Sequence, residues 1–539
     1  MPFLLTKYSY LYQIMERERI IARLNEITSY FSFGRLLGYI SFFDTIGIDA
    51  QLKHSQKSNR ERLISSEIDF LTGLWLQNVD LKKSWDVCDD DNILNEVYCL
   101  MDDLHTTYTD MNNVSEMYVE NFFYEGDLAY DWQYAKFAKE KYNKEPIVSI
   151  LKEKHGFDVN FIASTLSKIK HIIEEQIKRR RAEKQRTKQY MSPMNAFTIK
   201  PNAIKRHFSP QERNILRRLS IKLGDAFPSQ LKSITDSNYI KQCPIIELPG
   251  ERGLFIINEN AIAVAMNESP YYWLAEDMSF KKTLGSLRGD IAEKIVYNII
   301  KRRFLDTSYH HIIIKKSKSA NAITDIDVML YHKEFGIVFQ VKSKRLTELS
   351  KKGDLLSIEE DCNKAILEAF AQGTKCIDCL SQASNYYSLK KNSLSFCENI
   401  KFINVCITLD TFPGISSLSY LKNPINDKIP LIAMSIYDLD TIFYLFQADT
   451  IIEYFKFRAA CISNGIYGLN EIHYIGAFLA NIRGEGVKLH DIKICREYAV
   501  YADYLIKKSK HGIYSNKDVD CDIISLMWKY RPDEPITCE

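Results

Sequence analysis

The chain contains 539 residues, of which 46% are hydrophobic and 26% are charged. This composition excludes a disordered, collagen-like or fibrous protein, and the length corresponds to about three or four folded domains. The 71 lysines and arginines almost balance the 69 aspartates and glutamates, so the formal net charge is only +2. No apolar run approaches the roughly 18 residues of a membrane-spanning helix, and we expect no membrane association.

The N-terminal stretch MPFLLTKYSYLYQIMERERI lacks the basic, then apolar, then small-residue order of a secretory signal. Twelve cysteines are scattered through mostly apolar surroundings, which is typical of reduced thiols and not of a disulfide framework. We therefore expect a cytoplasmic protein.

Charge is distributed unevenly along the chain. Residues 84–135 hold 13 acidic residues and no lysine or arginine, whereas residues 178–218 hold 13 basic residues against two glutamates. Either run could be a solvated helix face, but a basic run also suits contact with nucleic-acid phosphates, which the acidic run could mimic within the same chain. The side chains predicted to contact nucleic acid are Lys178, Arg179, Arg180, Arg181, Lys205, Arg206, Arg213 and Arg217.

The N-terminal part of the chain is rich in helical patterns. Apolar residues at spacings of three and four predict helices in residues 1–190, over IIARLNEITSYF, NRERLISSEIDFLTGLWLQ and FIASTLSKIKHIIEEQIKRRR. The pattern lapses in residues 191–201, where two prolines predict a linker. Ser209, Pro210 and Glu212 then form a capping box with proline at the first helical position, which predicts the start of a basic helix.

Strand patterns appear further along, and helical patterns return after about residue 410. The short apolar runs PIIEL and LFIIN predict a small connecting module, while SIYDLDTIFYLF, IIEYFKFRAACI and EIHYIGAFLANI predict C-terminal helices. We therefore expect an α+β multidomain protein with large helical N- and C-terminal regions around an α/β core. The expected domains are a helical domain over residues 1–190, a basic linker and connecting module over 191–280, an α/β domain over 281–410 and a helical domain over 411–539.

Between residues 285 and 406 the pattern runs helix, strand, strand, strand, helix, strand. The helix in RGDIAEKIVYNIIKRRF buries one apolar stripe and places Glu293 at the edge of whatever the helix covers. The strands HHIIIKKS, ITDIDVML and IVFQVKSK follow, and the turn YHKEFG joins the last two into a hairpin. The stripe on the helix consists of Ala292, Ile295, Val296, Ile299 and Ile300.

Polar groups are concentrated on one face of this hairpin. Because successive side chains alternate along a strand, Asp325 and Asp327 share a face with Met329, and Gln340 and Lys342 share a face of the next strand. An apolar sheet does not carry two carboxylates, an amide and an ammonium on one face unless they satisfy one another or a ligand. The residues expected on the opposite face are Ile326, Val328, Leu330, Phe339 and Val341.

This set of groups suits a divalent metal. Mg²⁺ prefers oxygen ligands, and Asp327, the Gln340 side-chain oxygen and the main-chain carbonyl of Val341 supply them, with Asp325 as a further candidate ligand. Lys342 would position or help to deprotonate the attacking water and would offset charge on a phosphate. The ordinary alternative is cross-strand pairing of aspartate with lysine, worth about 0.2–1 kcal/mol per pair.

The order of Glu293 in a helix, Asp327 on a strand and Gln340-Val341-Lys342 on the next strand resembles the PD-(D/E)XK restriction-endonuclease-like superfamily, in the D…QxK variant of Mrr-type restriction nucleases. The resemblance covers about 120 of the 539 residues. It implies a core with a mixed central sheet flanked by helices. Asp327 and Gln340 would be metal ligands, Lys342 the catalytic lysine and Glu293 the helix acid. The following helix, with Gln372 and a Gly373 that permits close approach to the sheet, is also similar.

The resemblance implies an endonuclease that depends on Mg²⁺ or Mn²⁺ and hydrolyses phosphodiester bonds in DNA, in prokaryotic anti-phage defence or restriction. Two alternatives stay open: a catalytically degenerate nuclease-fold binding module in a multi-protein assembly, and an RNase, since the metal chemistry does not distinguish the sugar. The expected partners are DNA or RNA, together with a second copy of the chain or another defence protein.

Other patterns are expected to be structural. Cys376 and Cys379 form a C-x-x-C pair without further ligands in the sequence nearby, which favours core thiols over a zinc site. The neighbouring His310 and His311 are expected to precede a strand and to face solvent. No phosphate-binding G-x-x-x-x-G-K-[ST] loop occurs, so ATP-driven translocation is not expected.

Overall fold

The computed structural model describes residues 2–46, 63–108, 129–187, 193–250, 252–257, 259–317, 319–352, 354–382, 386–389, 392–393, 400–412, 414–416 and 430–482, together with short pieces between 484 and 506. These residues pack into two compact units. The N-terminal unit extends to Leu284, and the C-terminal unit begins at Gly285. Lys351 and Lys352, although later in the chain, belong to the N-terminal unit. Both units combine helices with a mixed sheet, so the α+β class is confirmed. No helix in the described part is both long and apolar enough to cross a membrane.

Helices dominate the first part of the N-terminal unit, as the spacing of apolar residues predicts. They bury Leu24, Leu71 and Trp75 completely, and Trp75 packs edge-on against the ring of Phe255. Hydrophobic burial of this kind is the main stabilising contribution to such a bundle. The helices are α1 (Pro2–Thr28), α2 (Phe33–Ile46), α3 (Ser65–Asn78), α4 (Asp90–Thr106), α5 (Asp131–Tyr142), α6 (Ile147–His155) and α7 (Val159–Thr187), with a 3₁₀ turn at Val87–Asp89.

A four-stranded sheet follows, in the order β1-β4-β3-β2. The stretch expected to be a linker instead enters it: after a 3₁₀ helix, Pro193–Phe197, β1 pairs antiparallel with β4, and Phe197 and Ile199 are fully buried. Gly253 allows this approach, because a Cβ there would lie 2.3 Å from the Ile199 carbonyl oxygen and its φ is +113°. The strands are β1 (Thr198–Ile199), β2 (Ser220–Lys222), β3 (Ile245–Leu248) and β4 (Gly253–Ile256).

The predicted capping box is present. The Ser209 hydroxyl accepts the Glu212 amide N–H at 3.2 Å, and a Glu212 carboxylate oxygen accepts the Ser209 amide N–H at 2.6 Å. These two bonds satisfy amides that the first helical turn leaves unpaired. The remaining helices of the unit are α8 (Pro201–His207), α9 (Pro210–Arg218) and α10 (Glu259–Ala275), with a 3₁₀ turn at Tyr239–Lys241.

The C-terminal unit is built on a seven-stranded sheet in the order β11-β10-β7-β6-β5-β8-β9. The unit begins within α11 (Met278–Lys301), whose predicted apolar stripe is buried. Strands β6 and β7 form the predicted antiparallel hairpin, and Lys333 in its two-residue turn has a φ of +55°. The strands are β5 (Ser308–Lys315), β6 (Ala322–His332), β7 (Phe335–Lys342), β8 (Tyr386–Leu389), β9 (Asn392–Ser393), β10 (Lys401–Thr408) and β11 (Ile432–Ser435).

The connection from β7 to β10 is a helical crossover. Strand β10 runs parallel to β7, and parallel neighbours need a long connection, which here is helical. Strand β11 pairs parallel with β10, so the sheet includes a strand beyond residue 410. The crossover helices are α12 (Glu348–Lys351), α13 (Leu355–Cys362), a π-helical turn at Asn363–Leu367 and α14 (Glu368–Leu380).

The predicted C-terminal helices are present and cover part of the sheet, where Phe339 of β7 packs edge-on against Phe455. They are α15 (Ile436–Leu445), α16 (Ala448–Ser463) and α17 (Glu471–Ile482), followed by the short pair β12 (Leu489–His490) and β13 (Lys493–Ile494).

Candidate functional site

The hairpin opens at Asp327. The ladder between β6 and β7 runs from the turn as far as the pair Val328 and Phe339. At the next position the Asp327 carboxylate accepts the main-chain N–H of Val341, at 2.7 Å from Oδ2. A side-chain oxygen therefore satisfies an amide that has left the regular ladder, and the carboxylate is held within the sheet.

Burial governs the chemistry of Asp327. Its side chain is almost completely buried, and burial raises the pKa of Asp327 to about 7. The N–H of Val341 and the charge of Lys342 lower this pKa, while the negative charges of Glu293 and Asp325 raise it further. Three carboxylates thus interact at one place with only partial compensation by positive charge, a situation that a bound cation would relieve.

Gln340 lies beside this carboxylate group and is fully buried. Its Nε2 donates to the main-chain carbonyl of Asp325 at 3.1 Å and lies 3.6 Å from the Cys376 sulfur. Its Oε1 is buried and has no hydrogen-bond donor among the described residues. The amide is therefore fixed through its nitrogen, and its oxygen is left available to a ligand.

Helix α14 organises the polar groups of the hairpin. Lys342 Nζ donates to Gln372 Oε1 at 3.2 Å, and Gln372 Nε2 donates to Asp325 Oδ1 at 3.0 Å. Burial raises the pKa of the Cys376 thiol to about 12, and the thiol donates to the Asp325 carbonyl at 3.1 Å. Gln372 therefore links Lys342 to Asp325. It was not among the site residues predicted from the sequence.

The close approach predicted for Gly373 is present. A Cβ at this position would lie 2.1 Å from Asn404 Oδ1 of β10. Asn404 in turn donates from Nδ2 to the carbonyl of Phe370 at 2.8 Å. Glycine lets α14 lie directly on the sheet, which brings Gln372 within reach of Lys342.

Strict alternation fails in the middle of β6. Met329 was expected to face the same side as the acids and Ile326 the opposite side, yet both pack in one apolar cluster with Cys376. In β5 the register is unchanged from His310 opposite Val328 to Ile312 opposite Ile326, but the ladder has no pair at His311. Between them His311 has a φ of +56°, a left-handed conformation that interrupts the regular pleat.

Glu293 lies close to His310, for which the predicted position before a strand is wrong. His310 and His311 lie within β5 and do not precede it, and His310 is only partly exposed. The His310 ring stacks on Tyr297, and its Nε2 lies 3.6 Å from Glu293 Oε2. Period-two reasoning presupposes a regular strand, so it had no signal for this placement.

Arg288 is a further residue near the site that belongs to no sequence motif. It is buried on α11, donates to the Ser343 carbonyl at 3.2 Å and forms an ion pair with Asp410. The end of β7, which carries Lys342, is thereby tied to the helix that carries Glu293.

Metal ligation from side chains of the usual kinds is limited. Within the described part of the chain, no group of three or more histidine, cysteine, aspartate or glutamate side chains is arranged to hold a metal ion. A cation here would need the Gln340 oxygen, main-chain carbonyls and water as well as carboxylates, which is the ligand type that Mg²⁺ prefers. The unpartnered Gln340 Oε1 fits that requirement.

The predicted nucleic-acid contacts lie in the N-terminal unit. Helix α9 packs against α7 and is joined to it by an ion pair of Lys168 with Glu212 at 2.8 Å, which places their basic residues on neighbouring helices. Lys205, Arg206 and Arg217 are exposed. Lys178 and Arg179 are also exposed, Arg180 is partly exposed, and the side chain of Arg181 lies outside the described residues. Among the predicted residues, Lys178 pairs with Glu175, and Arg213 donates to the Phe208 carbonyl.

The acidic residues of the run over residues 84–135 are not all exposed. Asp90 is buried and accepts hydrogen bonds from Arg35 and from the Trp85 indole N–H. Asp89 and Asp91 beside it are exposed. Residues 109–128 of the run lie outside the described residues, so its predicted role as a mimic of phosphate stays a prediction.

Comparison with known proteins gives no relative. No family model matches the chain, and no curated protein or solved structure matches it either.

Proposed function

We propose that this chain is a metal-dependent nuclease with DNA as its substrate. One observation supports the proposal most strongly: Asp327, Gln340 and Lys342 come together where β6 and β7 part, with further acids beside them. Buried polar groups are expensive unless they are satisfied, and the Gln340 oxygen is not. A bound cation accounts for both the excess of carboxylates and the unpartnered oxygen.

Some of these residues would bind the cation, and the others would act on the phosphate and the attacking water. Asp327, Gln340 Oε1 and the Val341 carbonyl, with Asp325, would hold Mg²⁺ or Mn²⁺. When bound, such an ion activates water and stabilises negative charge on a phosphate. Lys342 places a positive charge at the same site, and Gln372 restricts its position. Glu293 is the helix acid that would assist the attack of water on the phosphodiester bond.

The exposed basic residues on α7, α8 and α9 would contact the DNA backbone, since lysine and arginine neutralise phosphates without reading sequence. The resemblance to Mrr-type restriction nucleases in the D…QxK pattern supports a role in prokaryotic anti-phage defence or restriction. That role rests on the motif and on no matched relative.

The test is cleavage of labelled double-stranded DNA, single-stranded DNA and RNA by the full chain, with Mg²⁺ and with Mn²⁺. Lys342→Ala should abolish cleavage and leave DNA binding intact. Lys333→Ala is the matched control, because Lys333 lies at the other end of the same hairpin, is exposed and pairs with Asp449. Unchanged cleavage by Lys342→Ala would refute the mechanism, and cleavage of RNA alone would change the substrate.

A second candidate is a binding module without activity. The contacts of Gln372 favour it, because they satisfy both Lys342 and Asp325 without any ligand. This alternative predicts nucleic-acid binding without cleavage under either metal, and binding that is indifferent to Asp327→Ala.

A further inference from the structure

A pair of donor atoms lies beside the proposed site but belongs to none of its predicted ligands. Glu293 Oε2 on α11 and His310 Nε2 on β5 are 3.6 Å apart, too far for a hydrogen bond. The His310 Nε2 is nevertheless buried and has no hydrogen-bond partner among the described residues. A buried ring nitrogen without a partner calls for an explanation, and a ligand at this position, a cation or a water molecule, would supply one.

The geometry of the pair is held from two sides. The Tyr297 ring stacks on His310 with 5.4 Å between ring centroids and an angle of 27° between the planes. Next to it, His311 adopts its left-handed conformation with a φ of +56°. A left-handed backbone is uncommon in residues other than glycine and is often found at functional sites. Here it falls between His310, which pairs with Val328, and Ile312, which pairs with Ile326, so the interruption lies beside Asp327, the buried acid of the proposed site.

The spacing fits two ligands of one ion. Two donors that each lie about 2.1 Å from one cation are 3.6 Å apart when they subtend an angle of about 118° at the ion. Adjacent positions of a regular octahedron, about 3.0 Å apart, would require the two side chains to approach each other by about 0.6 Å. Glu293 also lies close enough to Asp327 for its charge to raise the pKa of that carboxyl group. An ion at this pair would therefore add positive charge next to Asp327, the proposed metal ligand.

We propose that Glu293 and His310 together bind a divalent transition-metal ion, and that His310 makes the site favour Mn²⁺ over Mg²⁺. The remaining ligands are water or substrate phosphate. Imidazole nitrogen suits transition metals, whereas Mg²⁺ takes oxygen ligands almost exclusively. The ion's role in cleavage rests on the proposed function, but its binding does not.

The experiment measures Mn²⁺ on the full chain in the absence of nucleic acid. Electron spin-echo modulation of bound Mn²⁺ should show coupling to a ¹⁴N nucleus of an imidazole ring. In His310→Gln the ¹⁴N signal should disappear and the Mn²⁺ affinity should fall about tenfold or more, while Mg²⁺ affinity, measured by competition, changes by less than about twofold.

His332→Gln is the matched control, since His332 lies on the same sheet and also contacts an acid, Asp449, at 2.9 Å. This variant should keep the signal and the affinity. Wild-type protein without ¹⁴N coupling would overturn the proposal even if His310→Gln failed to fold. A signal that survives in folded His310→Gln, or equal losses of Mn²⁺ and Mg²⁺ affinity, would also overturn it.

The outcomes separate this proposal from the nuclease. Mn²⁺ binding that depends on His310, in a chain that cleaves no nucleic acid with any metal, refutes the proposed function and leaves the metal pair standing. Cleavage with Mg²⁺, in a chain whose bound Mn²⁺ shows no nitrogen ligand, refutes the metal pair and leaves the nuclease standing.

Discussion

The contact between Gly373 and Asn404 predicts a substitution whose effect changes sign with its background. In the wild-type chain, the Cβ of Gly373→Ala would lie 2.1 Å from Asn404 Oδ1, 2.7 Å from Cγ and 2.8 Å from Nδ2. These separations are all too short, so α14 or the asparagine must move. Overpacking of this kind costs roughly 1–3 kcal/mol, whereas alanine gains about 1 kcal/mol over glycine inside a helix. We expect a net loss of up to about 2 kcal/mol.

Removing the obstructing side chain reverses the balance. Asn404→Ala deletes all three atoms and loses the bonds from Nδ2 to the Phe370 carbonyl and the Thr374 hydroxyl, at 2.8 and 3.2 Å. The single change should therefore destabilise the protein by about 1–3 kcal/mol. In that background Gly373→Ala meets none of these atoms, and we expect it to stabilise α14 by up to about 1 kcal/mol.

The assay must report on α14 itself, because unfolding of a chain with two compact units need not be two-state. Hydrogen exchange of peptides from Glu368–Leu380 measures that local stability. Exchange should quicken in Gly373→Ala relative to wild type and slow in the double variant relative to Asn404→Ala. The same sign in both backgrounds would refute the packing argument.

Two further predictions concern buried charges. Hydrogen bonds, including one from Lys344, lower the pKa of Asp361 although burial opposes them, so the ionised form stabilises the fold above the ordinary pKa and that stability is lost as the pH falls. Asp361→Asn should cost about 2 kcal/mol at pH 7, and this cost should shrink progressively as the pH falls below about 4 towards the lowered pKa of Asp361. Thermal unfolding measures the cost, and a cost that does not fall with pH would contradict the prediction. Arg458 and Glu471 form a fully buried ion pair. Arg458→Met or Glu471→Leu alone should therefore lower the free energy of unfolding by about 3–5 kcal/mol, because each leaves an unpaired buried charge, and the double variant should lose clearly less than the sum of the two. Denaturant unfolding measures these losses, and strictly additive losses would contradict the prediction.

Much of the architecture is accessible from local sequence patterns. Apolar spacing identified the helices at both ends, and the capping box at Ser209 placed the start of α9. The helix α11, the strands β5 to β7 with their hairpin, the crossover helix and β10 were predicted from changes in periodicity, but the short strands β8 and β9 between α14 and β10 were not. These features depend on interactions between residues that are close in sequence, which is why pattern alone recovers them.

Sequence also brought together the candidate site in outline. Asp325, Gln340 and Lys342 were expected on one face of the hairpin, and the structure connects them through Gln372 and the Asp325 carbonyl. The reason is that antiparallel pairing across a short turn leaves few choices of register.

Only the tertiary structure decided the rest, because each remaining feature joins residues that are far apart in the chain. Residues 193–199 look like a linker until β4 provides a partner for β1, and Asp90 looks like a surface acid until Arg35 reaches it. His310 lies 3.6 Å from Glu293 of a separate helix, and no alternation rule anticipates that contact or the left-handed conformation of the neighbouring His311. The sequence by itself thus determined the elements and the polar set on the hairpin. Packing of one helix and one irregular strand against that hairpin determined which of those groups have partners and which are left open to a ligand.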